Sequence, residues 1–203
     1  MRVTVIDYKA GNLTSVLKTL RHVGAEAVVT EGDLALVESA ERIVLPGVGH
    51  FAATSRLDET GLTGAVRSAI ARGVPFLGIC VGMQWLYAGS TEAPGQPGLG
   101  YFVPYCSRFR EGAEKVPHVG WNSLDVRPGS QLLAGVGAGE FVYFTHSYQA
   151  PVTADTAATT VYIEPFAAAV ERGNVMGVQF HPEKSGETGL KVLRNFLGWS
   201  AAC

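Results

Sequence analysis

The sequence predicts an α/β fold: an open, mostly parallel sheet with helices on both faces and antiparallel strands added in the C-terminal half. In the first two thirds of the chain, short apolar and β-branched runs alternate with segments of helical periodicity, the pattern of a covered parallel sheet. After Tyr87, strand-like runs follow one another without long helices. At 203 residues and 47% hydrophobic content, we expect one packed domain, 1–203.

The first half of the chain supplies the predicted parallel strands. These are expected at 2–7, 27–29, 42–45 and 75–79. Helices are expected at 13–23, 34–38, 62–70 and 83–87. Asp33 is predicted to cap the second of these helices, because its carboxylate can accept from free N–H groups of the first turn.

The second half begins with a loop at 89–100, rich in glycine and proline, and His118 is placed in a proline-containing loop. Strands are expected around Phe109 and at 123–126, 141–144, 158–163, 167–171 and 175–180, before a last helix over 190–197. We expect these strands to form antiparallel hairpins that extend one edge of the sheet.

Composition excludes several classes of function. Sixteen basic against 18 acidic residues, a net charge of −2, indicates neither a nucleic-acid partner nor an anionic membrane. Three cysteines make no disulfide framework, and no apolar run is long enough to span a bilayer. A cytoplasmic protein is therefore predicted. No motif for a metal or a cofactor is present, so none is expected.

Cys80 is the first candidate for chemistry. It lies between Gly78 and Gly82, after a buried strand and before a helical stretch, as in the strand–turn–helix elbow of acyl-transfer enzymes. A helix N-terminus there favours a thiolate and binds an oxyanion. The alternative is a buried cysteine that packs as a small apolar residue.

A nucleophilic cysteine needs a base, and His181 with Glu183 is the best candidate pair. Pro182 is expected to keep this segment extended, so that both side chains project to the same side. The carboxylate can then orient the imidazole and stabilise its charged form. The alternative interpretation is an ordinary turn.

The turn Pro46-Gly47-Val48-Gly49 follows the third predicted strand. Sites in open α/β sheets lie beyond the carboxyl ends of the strands. A backbone N–H from this turn, together with the Val81 N–H, is a candidate oxyanion hole. An ordinary strand-to-helix turn is the alternative.

These motifs together resemble the class I (triad) glutamine amidotransferases. The matching blocks are Pro46-Gly47-Val48-Gly49, Gly78-Ile79-Cys80-Val81-Gly82-Met83-Gln84 and Gln179-Phe180-His181-Pro182-Glu183. Blocks 7–12, 115–122 and 143–148 are similar to one branch, the glutaminase subunits of imidazole glycerol phosphate synthase. The resemblance covers nearly the whole chain and implies a flavodoxin-like fold.

The resemblance implies that glutamine is hydrolysed to glutamate and ammonia, which passes to a partner cyclase subunit with a (β/α)8 barrel. In this chemistry Cys80 is the nucleophile, His181 the acid and base, and Glu183 the group that orients His181. The oxyanion hole would use Val81, Val48 and Gly47. The cyclase would use the ammonia to make imidazole glycerol phosphate and aminoimidazole carboxamide ribotide, in histidine biosynthesis.

Further roles are carried over from the same resemblance. The residues implied to hold glutamine are Gln84, Glu92, His146, Ser147 and Tyr148. The residues expected near the partner are Asn12, Trp121, Tyr143 and Lys184, with Lys184 pairing an acidic residue across the interface. For Trp121 the alternative is a core aromatic, and for Lys184 a solvated charge.

Three other functions stay open from the sequence. One is a triad glutaminase subunit of another pathway, such as pyridoxal phosphate synthesis. The second is a stand-alone thiol hydrolase or peptidase on a similar sheet. The third is a non-catalytic binding module that has kept the fold.

Overall fold

The computed structural model describes residues 1–10, 12–112 and 114–200. Its helices are α1 (Leu13–His22), α2 (Leu34–Glu38), α3 (Ser55–Glu59), α4 (Leu62–Ala71), α5 (Val81–Trp85) and α6 (Gly186–Gly198), with short 3-10 helices at Phe51–Thr54 and Pro182–Lys184. The strands of the first half are β1 (Arg2–Ile6), β2 (Glu26–Thr30), β3 (Ile43–Gly47) and β4 (Phe76–Cys80).

The described residues after Cys80 contribute nine further strands. They are β5 (Tyr87–Ser90), β6 (Phe102–Arg108), β7 (His118–Ser123), β8 (Asp125–Val126), β9 (Phe141–His146), β10 (Tyr148–Gln149), β11 (Thr156–Tyr162), β12 (Glu164–Arg172) and β13 (Val175–Val178). None of the described helices combines the length and apolar character needed to cross a bilayer.

An eight-stranded sheet forms the centre of the fold, in the order β2-β1-β3-β4-β13-β12-β11-β8. The first five strands of that order pair in parallel, and β12, β11 and β8 add antiparallel strands at one edge. All residues of β3 and β4 are buried, as expected for central strands covered on both faces. The predicted α/β fold class is thereby confirmed.

Strand register brings the candidate residues to one edge of this sheet. Gly47, the last residue of β3, pairs with Cys80, the last residue of β4. On the other side of β4, Val178 at the end of β13 pairs with Ile79. Because all three strands run in the same direction, the segments that follow them emerge side by side.

Several local predictions are confirmed. The strands β1 to β4 and the helices α1, α2 and α4 lie where the periodicity places them. The Asp33 carboxylate accepts hydrogen bonds from the N–H groups of Ala35 and Leu36, as predicted for an N-cap. The last helix, α6, is also present and begins four residues earlier than the predicted apolar stripe, whose first residue is Leu190.

Two strands were wrongly predicted as other structure. Tyr87–Ser90 forms β5 instead of ending a helix and opening a loop, and His118 begins β7 instead of lying in a loop. In β7 the usual pattern is inverted, because His118 is buried while Val119 and Trp121 are 57% and 55% exposed. Alternation of apolar residues toward a core therefore gives no signal there.

The predicted single set of edge hairpins is also wrong in part. Only β8, β11 and β12 extend the central sheet. The strands β7 and β9 pair with each other in a separate antiparallel sheet, and β10, β6 and β5 form a third sheet. Sequence periodicity identifies strands but not their partners, which depend on long-range packing.

A pair of histidines is buried between these sheets. The ring of His118 stacks on Tyr162, with centroids 4.0 Å apart, and its Nδ1 lies 3.3 Å from Nε2 of His146. Nδ1 of His146 lies 2.8 Å from the Tyr148 carbonyl oxygen, which can only accept, so this nitrogen carries the hydrogen. Burial lowers the pKa of His118 to about 4 and the pKa of His146 to about 3.

The buried histidine pair predicts an acid-sensitive fold. Below a pH of about 6.5 an unfolded histidine takes up a proton, whereas His146 stays neutral in the folded chain until about pH 3. The free energy of unfolding should therefore decrease as the pH is lowered through this window, by up to about 1.4 kcal/mol per pH unit from this residue. His146→Asn can keep the hydrogen bond to Tyr148, and urea titrations should show a flatter pH dependence for it.

The control for this prediction is His22→Asn, which replaces an exposed histidine on α1. It should keep the wild-type pH dependence. An unchanged slope in His146→Asn would show that this histidine is not held neutral in the folded protein.

Candidate active site

A cavity of about 220 Å³ opens beside the carboxyl ends of β3 and β4. It is lined by Gly49, Cys80, Val81, Gln84, Glu92, Pro117, Thr145, His146, Ser147 and Tyr148. The structure thus brings the predicted nucleophile together with all five residues predicted to hold glutamine. A larger cavity of about 610 Å³, beside Gly73 and Asn174, contains none of the predicted site residues.

Cys80 joins β4 directly to α5 with a strained backbone. Its φ is +54° and its ψ is −109°, a combination that non-glycine residues rarely adopt. The turn is tight enough that a Cβ added to Gly82 would lie 1.9 Å from the Leu45 carbonyl oxygen, and one added to Gly78 would lie 2.4 Å from the Gly82 carbonyl oxygen. Both glycines are therefore required by close backbone approach.

The turn after β3 packs directly onto this elbow. A Cβ added to Gly47 would lie 3.0 Å from Cβ of Val81 and 2.0 Å from the Tyr8 hydroxyl oxygen. That hydroxyl is buried without a hydrogen-bond partner among the described residues, and burial raises the pKa of Tyr8. Sequence reasoning did not identify Tyr8 as part of this packing, because a single tyrosine after a strand carries no distinctive signal.

The Val48 N–H, predicted to face the oxyanion, has a different partner in this structure. It donates to the Ala10 carbonyl oxygen at 3.3 Å. Unlike the Val48 N–H, the predicted Val81 donor at the start of α5 has no hydrogen bond to another loop among the described residues. The direction of the Val48 peptide depends on the segment that follows β1, which the four-residue motif does not encode.

His181 and Glu183 form a buried pair beyond β13. Nδ1 of His181 lies 2.8 Å from Oε1 of Glu183, and the two side chains are 1% and 2% exposed. The segment is not extended as predicted: Pro182 begins a 3-10 turn, for which its fixed φ is suited. That turn folds the Glu183 carboxylate back onto the imidazole.

The charge state of His181 is set by two opposing effects. Burial alone would lower the pKa of His181, but the neighbouring Cys80 sulfur and the Glu183 carboxylate outweigh it and raise the pKa well above the usual range. Nε2 of His181 has no hydrogen-bond partner among the described residues. The imidazole is therefore held by Glu183 on one side and has a free nitrogen on the other, which suits proton transfer.

Gln84 and Glu92 reach the cavity from α5 and from the segment after β5. Nε2 of Gln84 donates to the Tyr148 carbonyl oxygen and to Oε1 of Gln179, both at 3.0 Å. Oε2 of Glu92 accepts from the Phe51 N–H at 2.8 Å. Gln179 was not predicted as a site residue, although it opens the matching block Gln179-Phe180-His181-Pro182-Glu183, because its position in an apolar run gave it no separate role.

Three of the four residues predicted to contact the partner subunit lie together on one face. The half-exposed Trp121 ring meets the Tyr143 ring edge-on, with centroids 6.1 Å apart, and the Lys184 Nζ lies 5.5 Å from the Tyr143 centroid. The Tyr143 carbonyl oxygen accepts from the His181 N–H at 2.9 Å. This face is therefore connected through the backbone to the histidine of the site. Asn12, the fourth, is exposed just before α1.

Cys106 is not among the residues that line this cavity. Cys106 is fully buried, which raises the pKa of its thiol, and it is free, as is Cys80. Cys203 lies outside the described residues. Within the described ranges no group of three or more histidine, cysteine, aspartate or glutamate residues is arranged to hold a metal ion.

Comparison with known proteins places this geometry in a family. The model for the glutamine amidotransferase class-I family matches residues 4–198. The imidazole glycerol phosphate synthase subunit HisH of Deinococcus radiodurans is 46% identical over 198 residues, 96% of this chain and 92% of that protein. The protein of the same name from Methanothermobacter thermautotrophicus is 46% identical over 197 residues, 96% of this chain and 97% of that protein.

Two further similarities concern a longer relative and the fold. The chloroplastic imidazole glycerol phosphate synthase hisHF of Arabidopsis thaliana is 45% identical over 96% of this chain, which spans 34% of that protein. A crystal structure of a glutamine amidotransferase superimposes with a TM-score of 0.76 at 20% identity, covering 97% of each chain. The chain therefore belongs to the class-I glutamine amidotransferase family.

Proposed function

We propose that this chain is the glutaminase subunit of an imidazole glycerol phosphate synthase. It hydrolyses glutamine to glutamate and ammonia, and the ammonia passes to a (β/α)8-barrel cyclase subunit. The observation that carries the proposal is the strained Cys80 beside the buried His181–Glu183 pair, at the edge of a cavity large enough for an amino acid. The names of the relatives support the pathway.

In the first half of the reaction, the Cys80 thiolate attacks the side-chain amide carbon of glutamine. The imidazolium of His181 protonates the amide nitrogen as the C–N bond breaks, so neutral ammonia leaves and a thioester remains on Cys80. In the second half, His181 accepts a proton from water, which attacks the thioester, and glutamate leaves as the C–S bond breaks. Glu183 keeps the imidazole oriented and stabilises its charged form throughout.

The oxyanion hole requires a rearrangement of the turn at Val48. The Val81 N–H supplies one donor at the start of α5, while the Val48 N–H is held by the Ala10 carbonyl. Rotation of the Gly47–Val48 peptide would turn this N–H toward Cys80, next to which Gly47 already lies. A missing donor typically costs about 10²–10³ in kcat. The free subunit is therefore slow, and partner binding would favour the rotated state.

Glutamine is held by the polar groups around the cavity. Both N–H groups of Gln84 are used within the protein, so its carbonyl oxygen is the atom that faces the substrate. Oε2 of Glu92 is held by Phe51, which leaves Oε1 to accept from the α-ammonium group. His146, Ser147 and Tyr148 complete the wall of the cavity.

The partner docks on the face formed by Trp121, Tyr143 and Lys184, and the exposed Asn12 is a further proposed contact. Ammonia is a nucleophile only when neutral, and bulk water would protonate it, so a covered route to the acceptor is chemically useful. The longer Arabidopsis relative, of which this chain spans about a third, supports acceptor chemistry outside this domain. A reducing cytoplasm would keep Cys80 as a thiol.

The alternatives fit less well. A glutaminase for pyridoxal phosphate synthesis would use the same triad, but the relatives that match over nearly the whole chain carry the synthase name. A stand-alone thiol hydrolase does not explain the exposed aromatic face linked to His181. A binding module does not require the strained backbone at Cys80.

The first test of this proposal replaces the nucleophile. Cys80→Ala should lose glutamate release to background, with or without the cyclase and its ribotide substrate. The complex should still make imidazole glycerol phosphate from added ammonium salt, because only the ammonia source is lost. Glutamine-driven activity in Cys80→Ala would exclude Cys80 as the nucleophile. No stimulation of the wild-type chain by the cyclase with its ribotide would exclude the pathway.

A second test addresses the oxyanion turn. Val48→Gly removes the side chain that restricts φ at this peptide, so the rotated state becomes more accessible. Glutamate release by the free subunit should rise several-fold, and the fully stimulated rate should change little. Val152→Gly, which changes an exposed valine in a loop, should leave the free rate unchanged. A free rate in Val48→Gly no higher than wild type would contradict the rotation.

A further inference from the structure

A buried side-chain amide lies against the nucleophile. Gln179 follows β13 and has no exposed surface. Its Nε2 lies 3.5 Å from Cys80 Sγ, and its Oε1 accepts from Nε2 of Gln84 at 3.0 Å. Its backbone N–H is fixed to the Ala168 carbonyl oxygen at 2.8 Å. A buried amide is costly unless its polar atoms are paired, and these two contacts pair it.

The direction of the Gln179 amide follows from its neighbours. The Tyr148 carbonyl oxygen can only accept, so Gln84 must present an N–H to it. The same Gln84 nitrogen presents its second N–H to Gln179, which fixes the oxygen of Gln179 on that side. The nitrogen of Gln179 therefore faces Cys80. Flipping the Gln84 amide would place its oxygen against the Tyr148 carbonyl oxygen, and flipping the Gln179 amide would place its N–H groups against those of Gln84.

The position of the Tyr148 carbonyl oxygen is itself fixed by hydrogen bonding. It accepts a second hydrogen bond, from Nδ1 of the buried His146 at 2.8 Å. His146 is held in turn by His118, whose Nε2 lies 3.4 Å from the Asn122 amide nitrogen. The orientation of the Gln179 amide is thus supported by a continuous set of neutral hydrogen bonds that begins on β7.

From this geometry we propose that Gln179 is a further catalytic residue, which donates a hydrogen bond to the Cys80 thiolate. The inference rests on the proposed function in taking Cys80 as the nucleophile. Gln179 stays neutral and transfers no proton. Its N–H favours the charged sulfur over the neutral thiol before attack. It favours the same charged sulfur again when the C–S bond of the thioester breaks and the sulfur leaves with the electron pair.

The His181 imidazolium and the Gln179 amide have separate tasks at this sulfur. The imidazolium supplies positive charge and the proton with which the amide nitrogen leaves as ammonia. The Gln179 amide supplies a hydrogen-bond donor that keeps its proton throughout the reaction. A purely structural glutamine would fill the same space without altering how the sulfur ionises. The pH dependence of the reactivity of Cys80 therefore separates the two roles.

The test measures alkylation of the full chain by iodoacetamide between about pH 5 and pH 10, with modification at Cys80 quantified by peptide mass spectrometry. In Gln179→Met, which keeps the volume and removes the donor, the rate at neutral pH should fall about tenfold, and the midpoint of the pH profile should rise by about one unit. Gln179→Glu keeps the shape of the side chain and places acceptors against the sulfur, so its rate should fall further.

Gln149→Met is the matched control, because Gln149 is also buried but its amide donates to Glu164 instead of Cys80. It should keep the wild-type pH profile. The proposal is overturned if both Gln179 variants, folded by circular dichroism, also keep that profile. If Gln179→Met does not fold, the near-isosteric Gln179→Glu decides the outcome alone. Wild-type chain that is alkylated at Cys80 yet still releases glutamate would instead overturn the proposed function.

Discussion

The strained backbone of Cys80 is the constraint on which the rest of the site depends. A positive φ at a non-glycine residue costs about 1–3 kcal/mol and persists only where its surroundings enforce it. Here the enforcement comes from β3, β4 and α5, which are packed so closely that Gly47, Gly78 and Gly82 leave no room for a Cβ. The same packing exposes the sulfur to the cavity and places the start of α5 beside it.

Around this sulfur the protein separates charged from neutral hydrogen bonding. On one side, His181 and Glu183 form a buried pair whose opposite charges stabilise each other. On the other side, Gln84 and Gln179 are paired by carbonyl acceptors, and burial keeps the histidines that support them neutral. Both arrangements fix the positions of the side chains around Cys80, because a buried polar group that lost its hydrogen-bond partner would raise the free energy of the folded protein. In the proposed reaction, only the charged side exchanges protons with the substrate.

The sequence predicts those parts of the molecule that local pattern determines. The strands β1 to β4, the cap at Asp33 and the glycines around Cys80 each have a local physical signature. β7 has none, because its exposed Trp121 and buried His118 invert the usual pattern. The sequence also could not predict the directions of the Gln179 amide and the Val48 N–H. Their directions depend on the Tyr148 and Ala10 carbonyls, which long-range folding brings to them.

The proposed glutaminase reaction requires Cys80 to form a covalent intermediate. The most direct measurement is acid quenching of the chain with its cyclase partner during glutamine turnover, followed by mass spectrometry of the cysteine-containing peptides. The proposed reaction predicts a glutamyl thioester on the Cys80 peptide alone, which disappears as glutamate is released after glutamine is removed. Glutamate release at the full rate with Cys80 unmodified, or a glutamyl group on Cys106 instead, would contradict it.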